Sequence, residues 1–217
     1  MPDIVKERPL LFNAPMVSAI LDGSKTQTRR IAKGVVARHA RTGEALSGLD
    51  SAGPRVSCPY GQPGERIWVR ETSRAEELPS GTDGVRYFAD LAFSEIEDTR
   101  SAADDWLKMY SYRGKRGATV PSIHMPRWAS RIDLQIKSVR VERLQDISEV
   151  DAKSEGADCL IMDNCTQAER ALLDMPLMEN GNPYRNGFAL LWEATYGPGS
   201  WAANPWVWAV EFERIKP

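Results

Sequence analysis

Histidine and cysteine are the scarce residues of this chain. Two histidines, His39 and His124, and three cysteines, Cys58, Cys159 and Cys165, are spread over 217 residues. A Cys58/His124 pair matches no zinc-ligand spacing, so neither a structural metal nor a cofactor is expected. An odd, widely spaced set of thiols without an export signal argues against a disulfide frame and for a reducing cytoplasm. Cys159 and Cys165 have no matching His and Asn, so no cysteine nucleophile is assigned. Long apolar runs are also absent. Nothing approaches the roughly 18 residues of a membrane span, and Met1–Arg8 has no signal-peptide core, so a soluble cytoplasmic protein is expected. Excess charge is missing too. The 28 Lys and Arg against 30 Asp and Glu give a net charge of −2, which excludes a uniformly basic surface and leaves room for a local basic cleft.

What is present is the composition of a folded protein, 42% hydrophobic and 27% charged, with no internal repeat. Pro15, Met16, Ile20 and a terminal Gly23 predict a helix over residues 15–22. Residues 34–63 read as a long loop or insertion, and residues 73–122 as a second, mixed one with a helix over 102–110. Gly64 turns into a strand carrying Ile67, Trp68, Val69, Arg70 and Glu71. Arg131–Lys137 alternates as a half-buried strand and continues through Val139–Glu142 after a bend. Ser148-Glu149-Val150-Asp151 starts a helix ending near Gly156. A further helix over 188–195 and a closing strand over 206–212 complete an α+β chain, read as a small mixed barrel with flanking helices.

The polar stretch Ser24-Lys25-Thr26-Gln27-Thr28-Arg29-Arg30 after the first helix has two readings. It is a solvated connection, or Lys25 and Arg30 line a cleft for an anion or a base edge. Gly23-x-Lys25-x-x-x-x-Arg30 matches the G-x-K-x-x-x-x-R signature of the ASCH domain, a relative of the PUA-type RNA-binding barrels. Pro63–Val69 is similar to that family's turn into a strand, Leu144–Gly156 to its helix after a strand, and Val207–Phe212 to its closing strand. The chain resembles a longer branch of the family, found in phage and prophage genomes. The resemblance implies a single PUA-like domain over residues 1–217, with insertions at about 34–63 and 73–122.

One activity in the family is hydrolysis of N4-acetylcytidine. By the resemblance its lysine falls on Lys25, its threonine on Thr28 and its glutamate on Glu155. Thr28 would attack the acyl carbon and needs a base. Lys25 serves only with a lowered pKa, which burial and Arg29 or Arg30 would promote. Arg30 would orient the ligand or stabilise the oxyanion. The competing reading is a non-catalytic RNA-binding module. Tyr110-Ser111-Tyr112-Arg113-Gly114-Lys115-Arg116-Gly117 interleaves aromatics and cations as base-stacking loops do. Arg29, Arg30, Arg70, Arg113, Lys115 and Arg127 are the candidate nucleoside or RNA contacts. A solvated basic turn and an ordinary Arg70/Glu71 ion pair are the plain alternatives. Trp128 is expected to be structural, and Trp68, Trp192, Trp201, Trp206 and Trp208 to fill the core rather than form a platform. RNA cleavage at the same cleft and a phage accessory role through a protein partner are the remaining readings.

Overall fold

A computed structural model describes residues 5–32, 58–157 and 182–215. His39, Cys159, Cys165 and most of the predicted 34–63 insertion lie outside them. Among these described residues, eight strands and four helices make the fold α+β. Strands β1 (Glu7–Leu11), β2 (Gln27–Ile31), β3 (Arg66–Arg70), β7 (Asp133–Arg143) and β8 (Trp206–Ile215) form one sheet in the order β1-β3-β7-β8-β2. β4 (Ser73–Glu77), β5 (Asp83–Tyr87) and β6 (Phe93–Glu95) form the other. Among the described residues the sheets do not close into a barrel. The helices are α1 (Ala14–Asp22), α2 (Arg100–Tyr110), α3 (Glu149–Ser154) and α4 (Pro183–Tyr196). None is long and apolar enough to cross a membrane.

Contacts divide the chain into two compact units. The first comprises residues 1–22, 66–134 and 214–217. In it β1 runs parallel to β3, with Glu7 opposite Arg66 and Leu11 opposite Arg70. The 73–122 segment, expected to be a mixed insertion with a helix over 102–110, carries that helix as α2 and also the antiparallel β4–β5–β6 sheet. Gly81, at φ 82, makes the β4–β5 turn, a conformation glycine adopts without steric penalty. Helix α2 is capped by the Thr99 hydroxyl, which accepts from Ala102 N. It buries Trp106 and Met109 with Ala75, Val85, Tyr87, Val120 and Met125, and the Trp106 indole donates to Gly84 O at 2.8 Å.

The second unit comprises residues 23–65 and 135–213. β2 pairs antiparallel with β8, Thr28 facing Val210. Ser148 caps α3 by accepting from Asp151 N, as its capping-box spacing predicts. The Glu149 carboxylate then accepts from Tyr184 N (2.7 Å) and Arg185 N (2.9 Å), satisfying orphan donors at the start of α4. That tie explains why α4 begins at Pro183 rather than near Phe188, where apolar periodicity starts. The core joins Leu144, Ile147, Phe188, Trp192, Trp201 and Val207.

Candidate functional site

The stretch after α1 is not a solvated connection. Gln27, Thr28 and Arg29 are buried, because β8 pairs with the strand and an isolated bridge joins Lys25 to Glu155 at the end of α3. Thr26 N donates to Ser154 O and Phe212 N to Thr26 O, fixing this backbone from both directions.

Lys25 and Glu155 meet directly. Lys25 is 2% exposed and Glu155 3%, and Lys25 Nζ donates to Glu155 Oε2 at 2.8 Å, to Glu155 O at 2.8 Å and to Gln27 O at 2.7 Å. Three acceptors use all three protons of an ammonium. Burial pushes the Lys25 pKa down; Glu155 opposes that push, while Arg30 and Arg29 add to it. Thr28 does not join the pair. Strand alternation turns it away from Gln27 and Arg29, and its hydroxyl bonds neither Lys25 nor Glu155 among the described residues.

Around the pair lies a network that sequence reasoning missed in part. The Arg29 guanidinium donates from NH1 to Glu155 Oε1 at 3.0 Å and from Nε to Glu142 Oε1 at 2.7 Å. Gln27 Nε2 donates to Asp151 Oδ1 at 2.9 Å. Arg140 reaches Glu142 Oε2 (2.7 Å) and Asp151 Oδ2 (2.8 Å). Asp151 is held below the usual range: burial works against ionisation, but the Gln27 hydrogen bond and the charges of Arg140 and Arg29 prevail. Three cations thus meet three carboxylates. The alternation of β7 already set Arg140 and Glu142 on one side of a strand, yet nothing in sequence showed that Arg29 faces them. Arg30, on the other side of β2 from Arg29, influences Tyr60, whose pKa is raised chiefly by burial.

The remaining predicted residues lie in the first unit. Glu71 pairs with Arg131 rather than with Arg70, through bonds of 2.8 and 3.0 Å. Arg131 also holds Asp90 at 2.8 and 2.9 Å and lies 4.0 Å from the Tyr87 ring centre. Arg127 is neutralised by Glu7 (3.0 Å) and Asp133 (2.9 Å). Arg70 and Arg127 both approach the Trp68 ring, at 5.3 and 5.7 Å. Trp192, Trp201 and Trp208 are core residues as expected, whereas Trp128, expected to be structural, is 36% exposed. Arg113, Lys115 and Arg116 are exposed and have no carboxylate partner among the described residues. Arg113 stands 5.3 Å from the Tyr112 ring centre, and Tyr112 5.8 Å from His124. In comparisons with family models, with curated proteins and with solved structures, the chain finds no match.

Proposed function

We propose that this chain binds unpaired RNA through the exposed loop around Tyr112, Arg113, Lys115 and Arg116. One observation carries the reading: Arg113, Lys115 and Arg116 stand exposed on one loop without a carboxylate among the described residues, while Lys25, Arg29, Arg127, Arg131 and Arg140 are each neutralised. Unneutralised guanidinium and ammonium groups beside a tyrosine ring suit phosphates and an unstacked base. The resemblance to the ASCH domain, with its PUA-like barrel, favours the same ligand. Fluorescence anisotropy with a labelled single-stranded RNA tests it. The native chain binds, and replacing Arg113, Lys115 and Arg116 together by Ala weakens binding and lowers the salt slope by about 2 in magnitude, as three lost single-strand phosphate contacts require. Equal binding by the variant, or no salt dependence, defeats the proposal.

A second reading, removal of an acyl group from an N4-acetylcytidine-type nucleoside, is favoured by the 2.8 Å approach of Lys25 to Glu155 and by the downward push on the Lys25 pKa. It ranks second because the ammonium has no donor or lone pair to spare and the Thr28 hydroxyl has no base beside it. Conversion of N4-acetylcytidine to cytidine by the native chain, lost in Lys25→Ala, would reverse the order.

A further inference from the structure

We propose that Arg70, Tyr112 and His124 form a site for the phosphate group of a nucleotide, a proposal that rests on the RNA reading and names the contact the loop alone does not supply. The three residues are joined by one short 3-10 turn, Ser122–His124. Arg70 donates from NH2 to the carbonyl of Ile123, and the His124 ring next to it packs against Tyr112.

The two guanidiniums on the Trp68 ring behave differently. Arg127 has two carboxylates. Arg70 has none among the described residues, and its Nε is buried without any hydrogen-bond partner. A half-buried guanidinium held by an aromatic face and a single carbonyl keeps most of its planar fork for an oxyanion, and phosphate matches that fork bidentately. Burial lowers the Arg70 pKa, consistent with a charge that lacks its counter-ion. The second observation is independent of the first. Among the described residues the Tyr112 hydroxyl is also buried without a hydrogen-bond partner, an arrangement that is costly in a finished protein core. Arg113, over the face of the same tyrosine, adds a second positive charge. Arg70 and Tyr112 both meet the Ser122–His124 turn, each with a buried polar atom that lacks a partner among the described residues, and a phosphate oxygen would answer that need.

Isothermal titration with cytidine 5′-monophosphate, cytidine and inorganic phosphate tests the site. The monophosphate is expected to bind at least about tenfold more tightly than the nucleoside, the worth of one charge-assisted contact, and inorganic phosphate to compete with it. Tyr112→Phe removes a hydroxyl that bonds no atom of the described residues, so the melting temperature should hold while monophosphate affinity falls. Arg70→Lys keeps the charge without the fork and should also weaken the monophosphate selectively. The proposal is overturned if monophosphate and nucleoside bind alike, if inorganic phosphate fails to compete, or if both variants match the native chain. Single-stranded RNA titrated in parallel separates the two claims. RNA binding without phosphate discrimination removes this site and leaves the RNA reading. Phosphate discrimination lost in Arg70→Lys, with no RNA binding by the native chain, keeps the site and removes that reading.

Discussion

Lys25 shows how a single residue changes meaning once its neighbours are known. A lysine among polar residues suggests a surface charge or a catalytic base, but here all its ammonium protons are committed inside the protein. Removing one member of a buried pair strands the other charge, which typically costs 3–5 kcal/mol, about the scale expected for Glu155→Gln in urea unfolding. The double variant Lys25→Met/Glu155→Gln should lose clearly less than the sum of its single changes, because no stranded charge remains. Strict additivity in that cycle would mean that Lys25 and Glu155 are not coupled. Arg29 holds the other Glu155 oxygen, so some loss remains in the double variant.

At the scale of elements, local chemistry was readable wherever a side chain acts on its own backbone. The Ser148 cap, the α1 helix and the alternation that starts β7 all follow from residues a few positions apart. Elements whose pattern depends on distant partners were not readable. β2 holds Gln27, Thr28 and Arg29, a polar run with no apolar alternation, and becomes a buried strand only because β8 pairs with it. The β4–β5–β6 sheet was hidden for another reason. Its strands are short, and Arg74, Glu76 and Arg86 interrupt the apolar signal while satisfying one another at 2.9–3.2 Å. Gly84 marks how tightly that sheet is built, since a Cβ there would run into Phe93 Cζ and the Ser94 carbonyl. The backbone oxygen cannot swing aside, so Gly84→Ala should destabilise by about 1–3 kcal/mol, the usual overpacking cost. A thermal melt unchanged by that substitution would contradict the close packing of β5 on β6.

Across the whole molecule, carboxylates with lowered pKa values occur in both units. Arg127 hydrogen bonding lowers Glu7, Arg86 hydrogen bonding lowers Glu76, and Arg131 hydrogen bonding lowers Asp90, while Asp151 is lowered within the Lys25 network. A carboxyl depressed in the folded state takes up its proton later than the same group in the unfolded chain. Its stabilisation is complete above the unfolded values of about 3.9–4.3 and is lost as pH falls through the folded pKa. Glu71 works in the opposite direction, because burial raises its pKa despite Arg131. Its ionisation costs stability as pH rises through the raised value. Among the described residues, four lowered carboxyls against one raised predict a urea midpoint that drops below about pH 4, and Asp90→Asn should flatten part of that limb. A midpoint constant down to pH 3 would show that these pairs are not felt in stability.

Local pattern and composition yield the α+β class, the four helices, strands β3, β7 and β8, the Ser148 cap, and the set of cations weighed as ligand contacts. Each of these rests on interactions within a few residues or on overall composition. Which of those cations are neutralised follows from the folded arrangement and not from local pattern. Arg29 and Arg127 looked equivalent to Arg113 as free charges, but carboxylates more than a hundred positions away neutralise them, Glu142 and Glu155 for Arg29 and Glu7 for Arg127. Pairing between residues so far apart depends on which backbones the sheets bring together, and no local pattern in the chain encodes that.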